Sequence, residues 1–170
     1  MKRRKYFLSL LAMLLTVMFC LTGCGKKSPV SVDKFKEVTT AAGMSVPAGE
    51  SVDDLYDDSE EIAAYAYVKG TGDGGEYYIE YYQMYDEEEL KNSMASYDKD
   101  TVAGLIGMND VKSYTTLVNG NENHYTLDGK VSGEDYYIEV VRVADTFIVA
   151  YGDSVCKKSV QDVLKKLGYR

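Results

Sequence analysis

The chain has 170 residues, of which 27 are Asp or Glu and 19 are Lys or Arg, so its formal net charge is −8. A chain this acidic is repelled by phosphate backbones, which excludes nucleic-acid binding as its function. The sequence also argues against a zinc site, because His124 is its one histidine and zinc sites use several His or Cys ligands.

The N-terminal residues have the layout of a secretory signal. Four basic residues (2–5) precede an apolar run over residues 6–21, which leads into Leu21-Thr22-Gly23-Cys24. This tetrapeptide resembles the lipobox of bacterial lipoproteins. The resemblance implies cleavage after residue 23, a diacylglycerol on Cys24, and a lipid-anchored protein on the outer face of the cytoplasmic membrane. An uncleaved spanning anchor is the alternative, but an apolar run of 16 residues is shorter than the roughly 20 that a spanning helix needs.

The segment after the signal predicts a tether and then one folded unit. Residues 24–30 form the tether, with a reach of at most about 25 Å when fully extended. Its two lysines, Lys26 and Lys27, are expected near anionic headgroups. Residues 31–170 are predicted to form a single α+β domain, which begins with a helix capped by Ser31 and ended by Gly43.

An acidic loop over residues 47–61 follows this helix. Its aspartates Asp53, Asp54, Asp57 and Asp58 are weak candidate calcium ligands, because Ca²⁺ prefers converging carboxylate oxygens. The loop lacks the regular spacing of a calcium-binding loop. A hydrated acidic loop is therefore the alternative interpretation.

Two tyrosine-rich runs predict a β-hairpin. Apolar and polar residues alternate over 62–69 and 77–85, and a glycine-rich turn joins the two runs. The turn contains the G-x-G-x-x-G pattern, but a strand follows it where a dinucleotide site needs a helix. The hairpin supplies a candidate binding surface of Tyr65, Tyr67, Tyr78 and Tyr82, since tyrosine is enriched at interfaces. The alternative is that these rings serve as packing on a half-buried sheet.

The remaining residues predict further strands and helices. Asp86 and Glu89 indicate a helix start, and residues 98–110 indicate a loop with a helical turn. Strands are predicted over residues 113–118, 123–130, 135–143 and 146–151, and a last amphipathic helix ends at Gly168. The predicted order is α-β-β-α-β-β-β-β-α. It indicates an antiparallel sheet of about six strands with helices packed on one face.

Few residues suit catalysis. Cys156 is the cysteine left once Cys20 leaves with the signal and Cys24 carries lipid, so no internal disulfide is expected. Pairing of Cys156 with His124 as nucleophile and base has no support in their spacing, and a small core residue is the expected role of Cys156. Glu80, Glu139 and His124 are the acid–base groups that an enzyme would have to use.

In outline the chain after residue 23 is similar to small uncharacterised lipoproteins of Gram-positive bacteria, which implies a style of fold and a location without an activity. The predicted function is a lipid-anchored extracytoplasmic binding or scaffold domain without catalysis, which engages a membrane or envelope protein. The alternative is a small-ligand or glycan sensor, either with or without a dependence on calcium through the acidic loop. No cofactor is expected apart from the covalent diacylglycerol at Cys24.

Overall fold

A computed structural model describes residues 27–47 and 61–170, which include one antiparallel sheet. Its strands are β1 (Ile62–Gly72), β2 (Gly75–Met84), β3 (Ser113–Val118), β4 (Glu122–Val131), β5 (Glu134–Val143) and β6 (Thr146–Asp153). All six predicted strands are present, with ends that differ from the prediction by at most three residues. The signal segment, Cys24 and the four candidate calcium ligands lie outside the described residues.

The strands lie in the order β1-β2-β6-β5-β4-β3. The β1–β2 hairpin therefore joins the four-stranded meander through the pairing of β2 with β6. Two of the connections are two-residue turns with positive φ at both positions, Asp73-Gly74 and Ser132-Gly133. Such turns match the twist of the strands that they join, and the glycine adopts the left-handed conformation without a steric penalty. The glycine-rich turn is thus followed by a strand, as predicted.

Four α-helices accompany the sheet in the described part of the chain. They are α1 (Val32–Ala41), α2 (Glu87–Ala95), α3 (Lys99–Gly104) and α4 (Lys157–Lys166), with a 3₁₀ turn (Ser154–Cys156) before α4. The predicted caps of α1 and α2 are present: Ser31 accepts a hydrogen bond from the Lys34 amide, and Asp86 accepts one from the Glu89 amide. The predicted element order is not confirmed, because α3 is a separate helix within residues 98–110, where a loop with a helical turn was expected. Asp98 caps α3.

The helices pack on both faces of the sheet, so the prediction of helices on one face is wrong. Helices α1 and α4 cover the first face, where Phe35 and Leu164 belong to one apolar core. Helices α2 and α3 cover the second face, where Leu90 and Val102 belong to another. Strand β5 shows the physical reason, because both sets of alternating side chains are buried from Tyr137 to Val143. A strand buried on both sides needs apolar cover on both sides.

On each face, the helices cover only part of the sheet. On the first face, α1 contacts β1 and β2 while α4 contacts β6. On the second face, α2 and α3 contact β4. Half-buried side chains consequently remain at β1 and β2 on the second face. On the first face, the uncovered side chains of β4 are half-buried and those of β3 are exposed. In the described ranges, no helix is both long enough and apolar enough to cross a membrane.

Candidate functional site

The four predicted surface tyrosines lie on the second face of the sheet. Tyr65 on β1 is opposite Tyr82 on β2, and Lys69 is opposite Tyr78, so alternation brings all these side chains to one side. Tyr65 is buried, with 7 % of its surface exposed, while Tyr67, Tyr78 and Tyr82 are half-buried. The structure thus brings the four rings together and places one of them inside the packed layer.

Strand β6 extends this group of rings. Tyr67 stacks on Tyr78 with ring centroids 5.8 Å apart, and Tyr78 stacks on Tyr151 at 5.5 Å. Tyr82 contacts Tyr65 at 4.9 Å and stacks on Phe147 at 4.5 Å. We call the six residues the tyrosine face: Tyr65, Tyr67, Tyr78, Tyr82, Phe147 and Tyr151. Stacked rings have few accessible rotamers, so this surface is ordered before any partner binds.

A carboxylate lies at the centre of the tyrosine face. Glu80 accepts hydrogen bonds from the hydroxyls of Tyr82 and Tyr151, the latter at 2.9 Å. Burial and the adjacent Glu80 carboxylate raise the pKa of Tyr82 and of Tyr151. Both phenols therefore stay protonated and act as donors. Nearby, Lys69 pairs with Glu76 at 2.7 Å and lies 5.6 Å from the Tyr78 ring centroid.

A cleft continues from one end of the tyrosine face. Phe147, which stacks on Tyr82, also lines this cavity of about 290 Å³ between the sheet and α2. Its other lining residues are Glu61, Met84, Tyr85, Asp86, Glu89, Leu90, Ser93 and Tyr97. Tyr85 is 73 % exposed. The cleft combines aromatic walls with carboxylates, a composition that suits small polar ligands with an apolar face.

A second cluster surrounds Glu139 on the first face. This carboxylate has no exposed surface, and its Oε1 atom lies 2.7 Å from His124 Nε2 and 2.6 Å from Arg170 Nε. The Tyr137 hydroxyl donates to its other oxygen. Burial opposes ionisation of Glu139, but the hydrogen bonds from His124, Tyr137 and Arg170 together hold its pKa below the ordinary value. A cavity of about 160 Å³ lies beside the cluster, lined by threonines of β3 and β4, Leu117, His124 and Arg170.

The three acid–base candidates from the sequence are divided between the two faces. His124 and Glu139 meet in the second cluster, because β4 and β5 pair with Thr126 opposite Glu139. Glu80 belongs to the tyrosine face on the other side. Cys156 is buried as predicted, and its Sγ donates to the Gly72 carbonyl, whereas His124 bonds Glu139. The geometry around Glu139 is thus a cluster of charged and polar side chains that is partly shielded from water. Among the described contacts, no nucleophilic side chain is bonded to the His124 imidazole.

Metal binding by the candidate calcium ligands stays a prediction, since those aspartates lie outside the described residues. Within residues 27–47 and 61–170, no group of three or more His, Cys, Asp or Glu side chains is placed to hold a metal ion.

The sequence patterns did not predict some members of the tyrosine face and of the Glu139 cluster. Phe147 and Tyr151 join the tyrosine face because β6 pairs with β2. The two strands are far apart in the sequence: at one end of the pairing, Gln83 donates a hydrogen bond to Asp145, which is 62 positions later in the chain. Arg170 reaches Glu139 after α4 turns the chain back across the sheet. A local pattern carries no signal for such contacts, because they depend on which strands become neighbours.

Comparison of the chain with protein-family models, with curated proteins and with solved structures finds no match.

Proposed function

We propose that this chain is a lipid-anchored extracytoplasmic binding domain that engages a membrane or envelope protein through the tyrosine face and carries out no catalysis. The observation that carries the proposal is the tyrosine face itself, with ordered stacked rings around the Glu80 carboxylate. Rigid aromatic anchors with a polar tip are the side chains that contribute most to binding energy at protein interfaces. The lipobox-like segment ending at Cys24 supports the anchor.

The burial of each tyrosine decides whether its replacement can test this proposal. Tyr67 and Tyr78 are half-buried and stack on each other, so their outer surfaces are available to a partner. Tyr65 is buried, and its removal would leave a cavity. Tyr114 on β3 is a matched control, since it is also half-buried and lies on the same face at the opposite edge of the sheet.

The test is chemical crosslinking of the anchored protein in its native membrane, followed by identification of the captured protein. The wild type and Tyr114→Ala should capture the same membrane protein. Tyr67→Ala combined with Tyr78→Ala should reduce that capture by about tenfold or more, as expected for two interface anchors. Capture that is equal in all three proteins would contradict the tyrosine face as the binding surface. Capture of no specific protein would contradict a protein partner.

The cleft beside Phe147 favours a second candidate function, a small-ligand or glycan sensor. Aromatic walls and carboxylates are the groups that stack on sugar rings and bond their hydroxyls, and the cavity of about 290 Å³ is near the lower size of a ligand site. Calcium dependence through Asp53, Asp54, Asp57 and Asp58 belongs to this candidate. A thermal shift produced by sugars, and lost in Tyr85→Ala, would support it. A calcium titration that leaves the thermal stability of the protein unchanged would contradict calcium binding as a part of this candidate function.

A further inference from the structure

The chain contacts the folded unit well before helix α1 begins. Lys27 Nζ lies 2.5 Å from Glu122 Oε1 and donates to the Tyr169 carbonyl at 3.1 Å. The Lys27 carbonyl in turn accepts a hydrogen bond from the Asn121 side chain at 3.1 Å. Three residues later, the Val30 carbonyl accepts the Tyr81 hydroxyl at 2.7 Å. Residues 27–30 are therefore fixed to one end of the sheet.

This attachment shortens the tether. Only residues 25 and 26 lie between Cys24 and the attached Lys27, and the three Cα–Cα steps from residue 24 to residue 27 span at most about 10 Å. The polar layer on each side of a bilayer is itself about 5–8 Å thick. A diacylglycerol on Cys24 would consequently hold Lys27, and the Asn121 side chain bonded to it, at the level of the headgroups.

The end of the sheet that holds Lys27 includes the β3–β4 hairpin tip, which is uncharged and carries two exposed apolar side chains. The β3–β4 turn is ordered, because the Asn119 side chain accepts hydrogen bonds from the amides of Asn121 and Glu122. Just before the turn, Leu117 and Val118 are 51 % and 50 % exposed. Residues 115–121 contain no charged side chain, in a chain where 27 % of residues are charged. Glu122, the first carboxylate after the tip in the sequence, is paired with Lys27.

We propose that the tip of the β3–β4 hairpin, residues 117–121, lies against the outer leaflet of the lipid bilayer and places Leu117 and Val118 among the headgroups. The inference rests on the lipid anchor of the proposed function. An acidic protein approaches an anionic surface most easily through an uncharged tip, and apolar side chains at the interface add affinity to an acyl anchor.

The proposal sets the direction of the tyrosine face relative to the membrane. Gln83 of β2 pairs with Thr146 of β6, whose hydroxyl bonds Tyr169 at the same end as Lys27. Tyr82 is thus near the bilayer, and Tyr78 lies four residues along β2, about 13 Å farther out. This direction exposes the tyrosine face sideways to the extracytoplasmic part of a membrane protein.

Photocrosslinking tests the proposal on the full, processed protein in vesicles of phosphatidylglycerol and phosphatidylethanolamine. The photoreactive residue p-benzoylphenylalanine replaces Val118 in one protein and Val155 in another. Val155 is a matched control, since it is 59 % exposed and follows the far end of β6. We expect lipid adducts at position 118 to exceed those at position 155 by about tenfold, because only position 118 is held near the lipid. Equal yields, or no adduct at position 118, would overturn the proposal.

Two further measurements separate this proposal from the anchor and from the tyrosine face. Mass spectrometry of the N-terminal peptide reports lipidation of Cys24, and an unlipidated Cys24 would overturn the anchor and this proposal together. A flexible Gly/Ser insert of about twelve residues after Gly25 adds a span of about 20 Å. The insert should lower the adduct yield at position 118 several-fold, and an unchanged yield would overturn the role of the short tether. The capture of a membrane protein by the tyrosine face is measured separately.

Discussion

Glu139 shows how a single residue stays charged without access to water. A carboxylate transferred into the protein interior loses its hydration and would become protonated if it were left alone. Three donors replace that hydration: the side chains of His124, Tyr137 and Arg170. Their combined effect exceeds the effect of burial, so the pKa of Glu139 falls below its ordinary value of 4.5. The Glu139 carboxylate is therefore charged in the folded state.

This arrangement predicts a pH dependence of stability. A carboxyl group with a lowered pKa in the folded state stabilises the protein above its ordinary pKa, and the effect is lost as the pH falls through the lower folded value. Glu139→Gln should lower the free energy of unfolding by about 3 kcal/mol near pH 7. It should also reduce the loss of stability between pH 5 and pH 3, a range around the ordinary pKa of 4.5. Urea unfolding at several pH values measures both effects.

Glu134→Gln is the control for this measurement. Glu134 is an exposed carboxyl group at the start of β5, the same strand that carries Glu139. We expect its replacement to change the unfolding free energy by no more than about 0.5 kcal/mol. A pH dependence that is identical in the wild type and in Glu139→Gln would show that Glu139 is not held in the charged form.

At the scale of elements, the contact between β2 and β6 joins the hairpin to the meander. Gly152 of β6 pairs with Tyr77 of β2, and a Cβ atom at Gly152 would lie 2.4 Å from the Glu76 carbonyl oxygen and 2.5 Å from the Tyr77 Cα atom. Both are backbone atoms that cannot move without shifting the strand. The absence of a side chain at this position allows the two strands to approach.

Gly152→Ala should therefore destabilise the protein by about 2–3 kcal/mol, since overpacking against the backbone forces a shift of one strand. Gly120→Ala is the matched control, because an added Cβ at Gly120 meets nothing within 4 Å. Its effect should stay within about 0.5 kcal/mol. Equal stability of the two variants in urea unfolding would contradict the close approach of β2 and β6.

At the scale of the whole molecule, two apolar cores share a single sheet. Leu164 of α4 lies in the core of the first face, and Leu127 of β4 lies in the core of the second face. Strand β5 contributes side chains to both cores, with Val141 in one and Val140 in the other. Loss of one core would therefore weaken the sheet on which the other core depends.

This sharing predicts one cooperative unfolding transition. Leu164→Ala and Leu127→Ala each remove a fully buried side chain, and each should lower the free energy of unfolding by about 3 kcal/mol with an unchanged denaturant slope. Leu117→Ala, at a position that is 51 % exposed, should have an effect below about 0.5 kcal/mol. Two separate transitions in either core variant, followed by circular dichroism and tyrosine fluorescence, would show that the cores unfold independently.

Local patterns in the sequence determined the strands, the caps at Ser31 and Asp86, and the glycine-rich hairpin turn, because alternation and capping depend on residues within a few positions of one another. They also placed Tyr65, Tyr67, Tyr78 and Tyr82 on one side of a hairpin. Tertiary structure alone decided that helices cover both faces, that β6 lies beside β2, and that Arg170 meets Glu139. The physical reason is that strand neighbours and helix positions follow from the total apolar surface buried, which no short stretch of sequence contains.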